Sequence, residues 1–217
     1  TLVSCATNAP ILVKNGSQPG GLPSVPAPGP VPRREHVQGP FQPNAYLQLC
    51  NGFSVSNAPP HDAELWLLDF NPVVVVNGVP LASVPGNEVC LSSAFGLRRG
   101  RAHEGIDITA RPAPAVYSAA PGRIIEARFS KGYGYQILMD HGRGVYTRYA
   151  HFEFFDPAVK VGKRMRFGEP LGRMGKSGNA SGVNLHFEIL TGNYRNPRGS
   201  KGLTPRDPLA LPPYTAG

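Results

Sequence analysis

The spacing of apolar and polar positions predicts strands along most of the chain and very little helix. Leu185, Phe187 and Ile189 alternate with Asn184, His186 and Glu188. A strand there sends the first set into a core and turns the second toward the opposite face. Shorter runs at Val116–Ser118, Arg123–Ala127, Tyr135–Met139, Val145–Tyr149 and Pro170–Met174 come in close succession, with Gly, Pro, Asp or Asn in most gaps. Evenly spaced strands of this kind predict an antiparallel sheet curled toward a barrel or sandwich. Upstream, Tyr46–Cys50, Glu64–Phe70 and Val73–Val76 read as strands, and Asn77-Gly78 ahead of Val79 is a hairpin signal. Residues 46–90 are too few for a substantial core of their own and are expected to lean on the strands beyond Leu91. Before them, prolines at 19, 23, 26, 28, 30, 32, 40 and 43 predict an extended or irregular spacer, preceded by a short apolar run at Ile11–Val13 that reads as a docking strand.

Three stretches place histidine or carboxylate beside strand formers: Arg101-Ala-His-Glu-Gly-Ile-Asp-Ile-Thr109, Tyr149-Ala-His151 and Val183-Asn-Leu-His-Phe-Glu188. His103 and Asp107 are four residues apart, but Gly105, Ile106, Ile108 and Thr109 argue against helix. In a straight strand that spacing spans roughly 13 Å, too far for two side chains to share an ion through bonds of roughly 2 Å. His103 is therefore expected in a turn leading into the strand, with Gly105 permitting the bend. His186 is offered on the non-core face of its own strand. Two imidazoles and one carboxylate make three protein ligands, the set expected of zinc with its fourth position open for catalysis.

His103-x-x-x-Asp107, Tyr149-Ala-His151 and Asn184-Leu-His186-Phe-Glu, in that order, resemble the lysostaphin-like or LytM-type metallopeptidases, which cut peptide cross-links in bacterial cell walls. Ser93-Ala-Phe-Gly-Leu-Arg98, Gly132-Tyr-Gly134, Met139-Asp-His-Gly142 and Gly168-Glu-Pro-Leu-Gly172 are similar to the same domain. The resemblance covers about residues 91 to 208 and implies a mainly β fold, a LytM-type antiparallel sheet groove with the metal at its floor. It implies His103, Asp107 and His186 as zinc ligands, and His151 and Asn184 as the catalytic positions. The family's last motif is usually His-x-His, and its first histidine falls on Asn184, which forms hydrogen bonds but cannot take a proton. The resemblance thus implies a zinc endopeptidase acting on peptidoglycan stems or, given Asn184, a weak or inactive module that binds cell wall or regulates an amidase or other envelope protein. Either role implies a periplasmic or extracellular setting. The expected organisation is a Pro/Gly-rich segment at 1–45, a small β-rich unit at 46–90, the LytM-type domain at 91–208 and a tail at 209–217.

Composition adds to this picture. Among 217 residues, 26 glycines and 24 prolines fit a turn-rich β protein. A formal charge of +8 implies an anionic partner or surface. No nucleic-acid motif accompanies the charge, so nucleic acid is not expected, and the resemblance implies anionic wall polymer as the partner. Arg98, Arg99 and Arg101, just before His103, have the best claim on an anionic substrate. Lys160, Lys163, Arg164 and Arg166 read as the wet face of a strand pair. His61 reads as a surface residue, Arg33, Arg34 and His36 as solvated, and His141 as a structural residue bonded to backbone. No run is long and apolar enough to span a bilayer, and no basic-then-apolar leader is expected. Cys50 and Cys90 could bridge in an oxidising compartment, leaving Cys5 single, although spacing does not fix the pairing. Leu2-Val-Ser-Cys5 also resembles a lipobox, which would make Cys5 a lipid anchor.

Overall fold

A computed structural model describes residues 40–215, apart from 54, 56, 99 and 196–198. The Ile11–Val13 run, Cys5 with its lipobox, the basic residues 33–36 and Arg99 lie outside the described residues.

The fold is almost entirely β, with a single 3-10 turn at Gly199–Gly202 and no α-helix among the described residues. Eleven strands share one curled sheet. Its main path runs β1 (Gln48–Leu49), β4 (Cys90–Ser93), β7 (Ile106–Thr109), β14 (Leu185–Thr191), β11 (Val145–Phe155), β10 (Gly134–Asp140), β9 (Gly122–Ser130) and β12 (Arg164–Met165). β15 (Thr204–Arg206) extends from β14, while β13 (Pro170–Met174) bridges β11 to β8 (Ala115–Tyr117). Two hairpins stand apart, β2–β3 (Val73–Val76, Val79–Ala82) and β5–β6 (Gly96–Arg98, Arg101–His103). Pairing in the sheet is antiparallel except between β1 and β4, which run parallel.

The alternation along β14 places Leu185, Phe187 and Ile189 in the main core with Ile106, Ile108, Tyr149 and Phe152. The other face is not wet. Leu190 packs there with Leu138, Tyr146 and Leu203, and Glu188 is fully buried. The sheet is covered on both faces, and both hold side chains of β14 rigidly.

Residues 46–90 enter the same core through Leu47, Leu49, Val74, Val76 and Leu81. Asn77 and Gly78 both adopt positive φ, the conformation demanded by a tight two-residue hairpin turn. Cys50 and Cys90 form a disulfide that ties the end of β1 to the start of β4. Glu64–Phe70 is not a strand. Asp62 Oδ1 accepts from the Trp66 amide, Leu65 sits at φ 71°, and Trp66 and Leu67 make only isolated bridges to Gln48 and His61. The local aspartate turn outcompetes the apolar run because only Leu67 finds a fully buried site. His141 is structural, its Nδ1–H donating to Pro121 O at 2.8 Å. Lys160, Lys163, Arg164 and Arg166 are exposed around buried Met165.

β11 carries the irregularity that matters most. Its first half pairs with β14 as far as Ala150, opposite His186, and its second half pairs with β13 from Phe152 onward. Between them His151 adopts φ 68°, and the register against β10 slips so that Tyr135 faces Phe152 while Ile137 faces Tyr149. One extra residue on β11 therefore forms a bulge, which bends the strand away from β14 and re-aims the side chain at 151. His151 thereby comes to line a groove with His103, Asp107 and His186.

Candidate metal centre

β7 and β14 lie side by side with Asp107 directly opposite His186. His103 joins them from β6, and the chain then reverses through Glu104 and Gly105. His103 therefore closes a short strand instead of sitting in the turn itself. Gly105 is needed because β14 passes so close: a Cβ there would stand 2.3 Å from Phe187 O and 2.9 Å from Glu188 Cγ. The bend itself does not require a glycine backbone angle, and close approach is the reason for the residue.

This packing brings His103 Nε2, Asp107 Oδ1 and His186 Nδ1 together at 3.1, 2.8 and 3.1 Å from one another. The outward nitrogens are committed elsewhere. His103 Nδ1–H donates to Ala94 O at 2.6 Å, and His186 Nε2–H donates to Glu188 Oε1 at 3.0 Å. Glu188 is held in turn by Tyr133 Oη at 2.7 Å on Oε1 and by Arg148 Nη1 at 2.6 Å on Oε2. On the other side, Arg98 Nη1 donates to Asp107 Oδ2 at 3.1 Å and to Ser93 Oγ at 3.0 Å, which leaves Oδ1 for the cluster. With their outer nitrogens donating, both imidazoles can turn a lone pair inward beside one carboxylate oxygen. This donor set and spacing fit a zinc ion.

Burial pushes the Asp107 carboxyl up, but hydrogen bonds and charge from His103 and His186 outweigh it and hold the group far below the usual carboxylate range. Burial likewise works against a charged His186, yet Asp107 and Glu188 raise it to about 9. A proton on His186 thus balances the two carboxylates, and a bound cation would take over that charge.

His151 lines the same groove, with its ring 6.0 Å from that of His186. Its Nδ1–H donates to Ser177 O at 2.8 Å, and its amide donates to Tyr133 O. Ser177 is itself pinned, its Oγ accepting from the Tyr135 amide and donating to Phe152 O. Burial lowers the His151 pKa and keeps the ring neutral. In that form Nε2 carries a lone pair. Asn184 also lines the groove, where its Nδ2 donates to Gly182 O at 3.0 Å and its Oδ1 is buried with no partner among the described residues. Gly132, Tyr133 and residues 179–181 complete walls enclosing about 250 Å³.

Of the residues singled out in the sequence, His103, Asp107 and His186 converge, and His151 and Asn184 face the same space. Arg98 turns to Asp107 and so has an internal partner as well as an exposed edge. Sequence reasoning places Glu188 on the face of β14 that carries His186 but gives it no role, and it misses Arg148 and Tyr133, which no local spacing links to Glu188.

Residues 101–197 match the model for peptidase family M23. The chain is 35% identical over 114 residues to the DD-carboxypeptidase/endopeptidase Mpg of Neisseria meningitidis serogroup B, covering 49% of this chain and 26% of that protein. It is 34% identical over 86 residues to the murein hydrolase activator EnvC of Escherichia coli, covering 40% of this chain and 20% of that one. The chain therefore spans about a quarter or less of the length of these curated relatives. Its fold is shared with a zinc-containing peptidase from Vibrio cholerae, with a TM-score of 0.52 and 24% identity over 65% of this chain and 46% of that one.

Proposed function

We propose that this protein, whose residues 101–197 form a peptidase family M23 domain, is a zinc-dependent endopeptidase hydrolysing the peptide cross-links of bacterial peptidoglycan. The observation that carries the reading is the convergence of His103, Asp107 and His186 at the floor of a groove that also holds a neutral histidine. Relatives named as endopeptidases support the reaction class. The Cys50–Cys90 disulfide supports the periplasm or the cell exterior, where such bonds persist.

His103 Nε2, Asp107 Oδ1 and His186 Nδ1 would hold the ion, with Ala94 O and Glu188 fixing the imidazoles. Zinc bound there supplies Lewis acidity, polarising the scissile carbonyl and making water acidic enough to attack near neutral pH. His151 Nε2 accepts the proton of the attacking water as the new C–O bond forms. It returns that proton to the leaving amine nitrogen as the C–N bond breaks. The peptide yields one carboxylate and one amine. Asn184 contributes hydrogen bonds to substrate or water and no proton transfer.

Asn184 favours a second reading, in which the domain keeps the ion for stability and binds wall or activates an amidase without turnover. A relative named as a murein hydrolase activator belongs with it. The two separate on incubating zinc-loaded protein with peptidoglycan and quantifying new amine ends, with chelator and His151→Ala as controls. Cleavage abolished by chelator, and reduced about 10²- to 10⁴-fold by His151→Ala, is expected of the enzyme. Wall pelleting without new amines, together with turnover gained in Asn184→His, would establish the second reading instead.

A further inference from the structure

A second concavity lies on the sheet beside the candidate centre. It encloses about 500 Å³, within the roughly 300–1,000 Å³ usual for small-molecule sites. Tyr46 and Trp66 stand at its edge with 74% and 42% of their surface exposed, their ring centroids 6.4 Å apart and edge to face. Glu88 and Arg111 supply charged groups of both signs around them, and Gln48 and Thr109, which donate to Glu64 O and Val183 O, offer acceptor oxygens. Large aromatic faces left in water next to polar side chains mark binding surfaces more often than packing residues.

One strand serves both, β7 contributing Asp107 to the groove and Thr109 to the concavity. Thr109 follows Asp107 by two positions on one strand face, a rise of roughly 7 Å. Thr109 Oγ1 also donates at 2.7 Å to Val183 O, immediately before Asn184. The aromatic side is built by Asn44, Ala45, Tyr46, Gln48 and Trp66, which lie outside the matched family region, beside β1 and the Cys50–Cys90 disulfide.

We infer that this concavity is a saccharide subsite, binding N-acetylated hexosamine rings of the glycan strand while a peptide stem lies in the groove. The inference rests on the peptidoglycan reading above. A pyranose ring presents C–H bonds on its faces, suited to an indole or phenol ring. Its hydroxyl and acetamido groups form a neutral fringe of donors and acceptors, suited to Gln48, Thr109, Glu88 and Arg111. A stem peptide would instead add itself along a strand edge through its backbone.

Trp66 is the single tryptophan of the chain, so its emission reports this surface directly. The whole 217-residue chain is titrated with a β-1,4-linked N-acetylglucosamine tetramer, and separately with a sugar-free cross-linked stem peptide. The expected result is a saturable emission change with the tetrasaccharide and none with the peptide. In Tyr46→Ala, checked for an unchanged thermal midpoint, half-saturation should rise at least tenfold. A flat titration, the same titration in Tyr46→Ala, or a change driven by the peptide would overturn the subsite. Hydrolysis of the sugar-free peptide by the unaltered protein is measured alongside. Its absence would count against the endopeptidase and leave the saccharide titration to decide the subsite on its own.

Discussion

Each imidazole of the His103–Asp107–His186 cluster is oriented by the acceptor on its far side, and the two acceptors differ in kind. Ala94 O is a backbone oxygen, whereas Glu188 is a carboxylate buried beside Arg148 and Tyr133. His103→Ala or Asp107→Ala should abolish stoichiometric zinc in purified protein, read by elemental analysis. Glu188→Gln should leave zinc bound but raise its dissociation constant about 10- to 100-fold, read by competition with a chromogenic chelator. The candidate ligands are legible in the sequence chiefly through the resemblance carried by three spaced motifs, since the His-x-x-x-Asp spacing alone would set its two side chains too far apart on a straight strand. Alternation puts Glu188 on the correct face but assigns it no task, since its partner Arg148 lies 40 residues away and only the register of β11 against β14 brings them opposite.

Strand contacts set tolerances that composition does not reveal. Gly105 reads as a residue for bending, yet its task is to let β14 pass against the turn. Gly105→Ala should force β7 and β14 apart at the Phe187 carbonyl, destabilising by about 1–3 kcal/mol in denaturant unfolding and weakening zinc binding at the same time. Glu64–Phe70 shows the opposite error. Its apolar run has the composition of a strand, but the Asp62 turn limits its pairing to isolated bridges and leaves Trp66 and Leu68 exposed. The kink at His151 has no sequence signal either, because left-handed geometry is ordinarily announced by glycine or asparagine and here falls on a histidine.

Across the whole molecule, one core and one covalent link hold the amino-terminal part of the described chain to the sheet. Replacing Cys50 and Cys90 by serine opens a closure over a separation of 40 residues and should cost about 4 kcal/mol of stability, read as a lowered denaturant midpoint. Acid should act through His141. Burial lowers its pKa in the folded protein despite the hydrogen bond to Pro121, so the unfolded chain takes up the proton first. Its contribution is complete above about 6.5, the unfolded value, and declines as pH falls below it. The drop in thermal midpoint between pH 7.5 and 5.5 should be smaller in His141→Gln than in the unaltered protein.

The slip in β11 gives the fold a simple arithmetic. Between Tyr135 and Ile137 two steps along β10 are matched by three along β11, and the surplus residue falls at His151. Excising that single position would remove the slip against β10 and, with it, the ring that faces His186 across the groove, while leaving His103, Asp107 and His186 on their own strands. On the function proposed above, the difference between a cleft able to move a proton and a smooth wall is therefore an insertion of one.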